Sequence, residues 1–271
     1  LNQSNSYYSN GEMNVPWDPQ LYLKFDRERT QPAIDLAARV ELADPLRIID
    51  LGCGPGNSTA ILKARWPNAE ITGLDGDAAM IVAARDSDSD ITWVQDDAST
   101  WQADAEYDLV FSNAMLQWLP DHVAVLGRWF GSVSPGGALA VQIPSHLNSA
   151  VHRHILEVAA DPRWSTLTAH AGHAINTAEP QAYYDSLCQQ ASRVDLWITK
   201  YYHVLEGPKE IINWMRGTGL RPFLSVLPTD ADRAAFEAAI LDRVAGSYPR
   251  RADGKVLFPF RRLFFIAYKG V

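Results

Sequence analysis

Between Ile48 and Thr59 the chain reads IIDLGCGPGNST, and no other stretch restricts the fold so tightly. Apolar β-formers run into an acid, Asp50, and glycines then fall at every second position, Gly52, Gly54 and Gly56. The capping-competent cluster Asn57-Ser58-Thr59 follows and leads into the helix-compatible run Ala60-Ile61-Leu62-Lys63. This is the order strand, tight turn, helix start. Glycine suits such a turn because a Cβ would forbid positive φ and hold a ligand off the backbone. The N–H groups of a helix start favour an anionic or hydroxylated ligand. The expectation is a small-molecule cleft.

A dinucleotide fingerprint has G-x-G-x-x-G with a pyrophosphate on the helix start. Here the order is G-x-G-x-G, and Asp50 stands two residues ahead of the first glycine, where a carboxylate would repel a pyrophosphate. Charge complementarity instead favours S-adenosylmethionine, which carries an ammonium and a sulfonium and no phosphate. Two further acids extend the pattern. Ala69 to Asp75 is a short strand-like run ending in an acid 25 residues after Asp50, near the spacing of roughly 20 of a ribose-hydroxyl acceptor. Ile91 to Ala98 repeats it, with Asp97 a candidate acceptor for an adenine amino group. Acids thus close three successive strands, at the edge where open α/β sheets bind ligands. Each acid taken singly also reads as a solvated turn or an N-cap.

These motifs resemble the class I S-adenosylmethionine-dependent methyltransferases over most of the chain. The resemblance rests on DLGCGPGNST (50–59), GLDGDAAM (73–80), QDDAS (95–99), YDLVFSNAMLQWLPDH (107–122) and SPGGALAVQ (134–142). Within that superfamily the chain is similar to the trans-aconitate methyltransferases, through WDPQLYLKFDRERTQPA (17–33), TKYYHVL (199–205) and INWMRGTGLRPFL (212–224). The resemblance implies a Rossmann-like α/β domain, a mostly parallel seven-stranded sheet with a helical cap inserted before the last strand. It implies a cofactor site of Arg29, Asp50, Gly52, Cys53, Gly54, Asn57, Asp75, Gly76, Asp97, Ala98, Ser99, Asn113 and Ala114. The substrate side would draw on Trp17, Tyr22, Gln117, Trp118, Tyr201, His203, Trp214, Arg221 and Arg261.

The chain taken in order fills out this frame. Its 271 residues, 47% hydrophobic, suffice for one large domain or a domain with an insertion. A net charge of −8 argues against general nucleic-acid or membrane-surface binding. Two cysteines, Cys53 and Cys188, make neither a disulfide framework nor a zinc set, which fits a reducing cytoplasm. No apolar run reaches a membrane-spanning length of about 20 residues. Residues 1–12 read as a leader or tag, with Met13 the native start. Residues 13–147 would form the cofactor-binding part and 148–271 the remainder with its cap. Trp17, Tyr22 and Phe25, with Arg27 and Arg29, form either a flap on the sheet edge or a lid over the ligands. Arg29 is the candidate for the cofactor carboxylate, with Arg27 close behind.

Pro32 reads as a helix opener, and Ala33, Leu36, Ala37 and Val40 give a helical stripe. Helices over 58–66 and 78–85 alternate with strands, the signature of a parallel sheet. A fourth strand spans 107–112, with residues 115–118 as the loop beyond it. Pro135-Gly136-Gly137 turns into a fifth strand at 138–143. Helical pieces at 151–159 and 180–191 precede a sixth strand over 193–202. Two helices follow, at 208–215 and 229–245, and the last strand covers 263–268. Helices placed between the last two strands would cap the cofactor cleft, where a substrate pocket would be built. His152 and His154 point to different faces, and His170 and His173 lack the partners of a metal site.

Cations concentrate in that insertion. Arg216, Arg221, Arg250, Arg251, Lys255, Arg261 and Arg262 stand out in an acidic protein and point to an anionic substrate. Guanidinium forks bind carboxylates bidentately, although any one of these arginines also reads as solvated surface. The expected partner is a small polycarboxylate, the expected state a monomer or weak homo-oligomer. No catalytic dyad is needed, because an acceptor carboxylate is already ionised near neutral pH with a reference pKa of about 4. Two alternatives stay open. One is a methyltransferase of this fold acting on another small molecule or on a malonyl carrier protein; the other is a nucleotide-binding protein that transfers no methyl group.

Overall fold

In the computed structural model residues 25–86, 90–145 and 148–271 are described, and they form two compact units. One unit takes residues 27–144, 176–199 and 262–271; the other takes 145–175 and 200–261 with the end of the N-terminal segment. Trp17, Tyr22, Met13 and the 1–12 leader lie outside the described residues.

The first unit is built on a sheet. In chain order it holds α1 (Asp26–Arg39), β1 (Arg47–Leu51), α2 (Asn57–Arg65), β2 (Glu70–Asp75), α3 (Ala78–Arg85), β3 (Thr92–Gln95), β4 (Tyr107–Asn113), α4 (His122–Gly131), β5 (Val133–Pro144) and α7 (Pro180–Leu187). The strands β6 (Arg193–Leu205) and β7 (Val256–Tyr268) complete a seven-stranded sheet of order β3-β2-β1-β4-β5-β7-β6. All registered pairs are parallel except β5 with β7. The order reverses between β1 and β4, so the carboxyl ends of these two strands flank the switch point where open sheets bind ligands.

Strand burial follows the sequence. Ile48, Ile49 and Leu51 of β1 and Leu109, Val110 and Phe111 of β4 are at most 1% exposed, as a central parallel strand covered on both faces requires. On α1 the stripe Ala33, Leu36, Ala37 and Val40 is buried as expected. Pro32 does not open that helix. The helix begins at Asp26 and carries Pro32 within it.

Three other expectations are corrected. Helix α4 was not anticipated, although Val125, Leu126, Trp129 and Phe130 give it a buried stripe. Strand β5 starts at Val133, and Pro135-Gly136-Gly137 sits inside it as an irregularity where the register jumps from Tyr107↔Val133 to Leu109↔Ala138. At Gly137 a Cβ would lie 2.6 Å from the Asp108 carbonyl oxygen, so only glycine lets the two strands close again. Strand β7 begins at Val256, seven residues before the expected Leu263.

The second unit is mainly helical, with α5 (Ala150–Ala159), α6 (Ser165–Thr168), α8 (Pro208–Arg216), α9 (Arg221–Ser225) and α10 (Asp230–Ser247). The helices expected before the last strand are present, and the segment after β5 joins them. Thr229 caps α10 by accepting from the Asp232 N–H at 3.1 Å. Below that cap Phe236, Ile240 and Val244 are fully buried. Trp164 meets Phe236 edge-on at 5.5 Å. A second aromatic group gathers Phe25, His203, Trp214, Phe258 and Phe260, with Phe25 5.1 Å and His203 4.5 Å from Trp214. No helix among the described residues is long and apolar enough to cross a membrane.

Candidate functional site

After Leu51 the chain turns through Gly52, Gly54 and Gly56 at φ 77°, 55° and 97°, conformations in which a Cβ is penalised. At Gly52 space adds a second restriction: a Cβ would lie 2.1 Å from Met115 Cγ. The backbone donors of this turn are then used up within the protein. Gly52 and Cys53 N–H both donate to the Leu74 carbonyl, at 2.7 and 3.0 Å, and Gly56 N–H donates to the Cys53 carbonyl at 3.1 Å. Gly54 N–H donates to Asp75 Oδ2 at 2.9 Å. Pro55 has no N–H to give.

A phosphate cradle needs free backbone N–H groups aimed at the anion. From residue 52 to 56 this turn offers none. It presents backbone without a Cβ at Gly52, Gly54 and Gly56, which a ligand can approach closely. The cluster Asn57-Ser58-Thr59 does not cap α2, contrary to expectation. Gly56 is the N-cap and makes no side-chain bond, so no side chain of its own closes the helix start.

Ser58 and Thr59 turn inward instead. Their hydroxyls donate to Asp50 Oδ2 at 2.6 and 2.7 Å. Asp50 is 0% exposed, so the expected contact between its carboxylate and a ligand is corrected: it braces the turn from behind. Burial is the main reason that its carboxyl is raised to about 6. Cys53 is likewise buried, packed with Ile81 and Trp93, and burial drives its thiol far upward. It serves packing rather than contact.

Asp75 stands at the carboxyl end of β2, half-buried. Its Oδ1 accepts from Asp77 N–H at 2.9 Å and its Oδ2 from Gly54, leaving one lone pair on each oxygen for a diol. Burial raises its carboxyl, and the two backbone donors oppose that shift. Gly76 beside it is exposed. Asp97 is exposed beyond β3, with Oδ1 accepting from Ser99 N–H at 2.8 Å. Ala98 departs from expectation, being buried with its carbonyl taken by Trp129 Nε1 at 3.2 Å. Ser99 is half-buried, and its carbonyl accepts from Arg128.

Across the switch point, Ser112 Oγ donates to the Leu51 carbonyl at 2.8 Å and ties β4 to the end of β1. Asn113, Ala114 and Trp118 are half-buried at this edge. Gln117 is corrected. It is 3% exposed and its amide turns back to donate to the Ala114 carbonyl at 2.5 Å, so it shapes its own loop. Of the two N-terminal arginines, Arg29 is buried and Arg27 exposed.

In the helical unit, His203 and Trp214 are also corrected. At 6% and 1% exposed they belong to the aromatic core. Tyr201 and Arg221 are half-buried and Arg261 exposed. Four further cations are engaged locally: Arg216 bidentately by Glu237 at 2.7 and 2.6 Å, Lys255 by Glu206 at 2.9 Å, Arg250 by the Glu206 carbonyl at 3.0 Å, and Arg262, in the sheet unit, by Gln142 Oε1 at 3.2 Å. Met115, Ser58, Thr59, Asn176 and Gln142 were missed as parts of the site. Only Ser58 and Thr59 carried a signal, two hydroxyls at the start of the helix that follows Asp50 across the glycine turn.

Residues 48–137 match the family described as Methyltransferase domain. A trans-aconitate 2-methyltransferase from Methylobacterium radiotolerans is 46% identical, the match covering 93% of this chain and 98% of that protein. Among solved structures, a putative methyltransferase from Bacillus halodurans aligns at TM-score 0.57 with 11% identity, covering 89% of this chain and all of that one. The Haemonchus contortus phosphoethanolamine N-methyltransferase 2 in complex with S-adenosyl-L-methionine aligns at TM-score 0.51 and 15% identity, covering 89% of this chain and 53% of that one.

Proposed function

We propose, from the premise that this chain belongs to the trans-aconitate 2-methyltransferase family, that it esterifies a carboxylate of trans-aconitate using S-adenosylmethionine. The observation that carries this reading is the spent set of N–H groups from Gly52 to Gly56, which leaves the turn without the free donors that a pyrophosphate needs and that a phosphate-free methyl donor does not. The residues fit the cofactor in other respects. Asp75 has acceptor capacity for two ribose hydroxyls, Asp97 is exposed one strand further on, and Arg29 is the candidate for the amino-acid carboxylate, with Arg27 close behind. When bound, S-adenosylmethionine supplies an electrophilic methyl group on a sulfonium.

The protein's own part is to hold and orient. Arg221 and Arg261 pair with the carboxylates that are not methylated, and the Tyr201 hydroxyl donates to one of them. No side chain has to remove a proton, because the attacking carboxylate is ionised near neutral pH, its reference pKa being about 4. Rate enhancement then comes from positioning and from excluding water. The two free cysteines fit a reducing cytoplasm, and the arginines of the helical unit fit a small polycarboxylate partner.

Calorimetry with S-adenosylhomocysteine and with NAD tests the cofactor: the first is expected to bind and the second not. Labelled methyl transfer to a panel of di- and tricarboxylates tests the acceptor, with ester expected from trans-aconitate. Product from a malonyl carrier protein and none from trans-aconitate would replace this substrate with that one.

A further inference from the structure

The loop from β4 to α4 is bounded by Ala114 at φ 57° and Asp121 at φ 50°, the two non-glycine residues with positive φ among those described. Backbone of this kind at residues with a Cβ persists only where the surroundings over-determine it, and it gathers at functional sites. The surroundings here come from about 60 residues further along the chain. Asn176 N–H donates to the Gln117 carbonyl at 2.7 Å, and Asn176 Nδ2 donates to the Leu119 carbonyl at 3.3 Å. Two residues on, Ala178 N–H donates to the Tyr183 hydroxyl at 2.9 Å. That hydroxyl is also paired with His122 Nε2, at 2.9 Å, and His122 is the first residue of α4. Tyr183 is fixed in turn by stacking on Phe265 at 5.2 Å.

We propose that Asn176, Tyr183 and His122 are positioning residues for methyl transfer: they latch residues 114–121 so that Met115 stays packed on Gly52 and Trp118 keeps its place at the sheet edge. The consequence for catalysis rests on the function proposed above; the latch itself does not. None of the three has to touch either reactant. Their effect passes through the loop, whose displacement by about 1 Å is enough to cost up to a hundredfold in rate.

Two mild variants test this. Asn176→Ala removes one side-chain donor from a half-buried position, and Tyr183→Phe keeps the ring stack while removing the hydroxyl. In the ligand-free proteins, hydrogen exchange of the 116–119 amides is expected to speed about tenfold while exchange in β1 and β5 stays unchanged. With trans-aconitate, kcat should fall about tenfold with KM within about threefold. The double variant should lose less than the product of the two single losses, because both act on one loop. Unchanged loop exchange and unchanged kcat in both variants would overturn the latch, as would faster exchange spread evenly over the sheet or an effect confined to KM. If the wild-type protein makes no ester from trans-aconitate, the substrate reading falls, and the exchange measurement still decides the latch by itself.

Discussion

The loops after β1 and after β4 flank the same switch point, yet they reach left-handed backbone by different means. The first does so with glycines, at Gly52, Gly54 and Gly56, where the cost is the lost entropy of a flexible residue. The second does so with Ala114 and Asp121, and it relies on hydrogen bonds from Asn176 and the His122–Tyr183 pair. One loop is encoded in place by residue type; the other is imposed by distant parts of the chain. A turn of the first kind tolerates no side chain, whereas a turn of the second kind depends on a neighbour that local sequence does not reveal.

The sharpest break of this contrast is Gly52→Ala. The new Cβ meets Met115 Cγ at 2.1 Å as well as a φ of 77°, so affinity for S-adenosylhomocysteine should fall by about a hundredfold or more, read by calorimetry. Gly54→Ala separates strain from collision, since nothing lies within 4 Å of its added Cβ. It should cost only the left-handed penalty of about 1–2 kcal/mol, and a loss as large as that at Gly52 would show that space is not what distinguishes the two glycines.

Next in size is Asp75→Ala. It strips an acceptor from the Gly54 and Asp77 N–H groups and, on the function proposed above, from the ribose, and should weaken cofactor binding about 10- to 100-fold, at about 1–3 kcal/mol for the lost bonds. Arg221→Ala should instead raise KM for trans-aconitate and leave cofactor affinity nearly unchanged. Equal effects of both variants on both ligands would undo that division of labour.

Asp50 tests the brace beneath the first loop. Its carboxyl is raised from 3.8 to about 6 by burial, so the folded protein holds the proton more tightly than the unfolded chain. This contribution to stability is therefore full below pH 3.8, declines as pH rises, and is lost above about pH 6. The span amounts to about 3 kcal/mol. Asp50→Asn keeps an acceptor for Ser58 and Thr59 and should abolish that slope, leaving the variant about 1–3 kcal/mol more stable at pH 7.5 in urea melts. A less stable variant at pH 7.5 would mean that the ionised carboxylate itself is what the two hydroxyls require.

The smallest effect belongs to the second loop. Ala114→Gly relieves the strain at φ 57° but loosens the unfolded chain, so stability should change by no more than about 1 kcal/mol. Faster exchange at residues 116–119 is nevertheless expected, and a loop as well protected as in the wild type would show that the latch needs no help from Ala114.

Strand β1, the glycine turn and the alternating βα pattern were legible because each is written in consecutive residues with a local physical meaning. Helix α4 was overlooked behind the motif that precedes it, although its stripe from Val125 to Phe130 was there to be seen. The roles of Asp50, Gln117, His203 and Trp214 were not legible. Each has a side chain fit for a ligand, and only burial shows that it faces inward.

The sequence alone determined where the chain turns at the carboxyl end of β1, since φ preference and β- or helix-forming period are properties of neighbouring residues. Tertiary structure alone decided which polar groups remain available there. That depends on partners brought from far along the chain: Leu74 and Asp75 on the glycine turn, Ser58 and Thr59 on Asp50, and Asn176 on the loop after β4. Hydrogen-bond capacity is finite, and what a distant partner takes is no longer offered to a ligand.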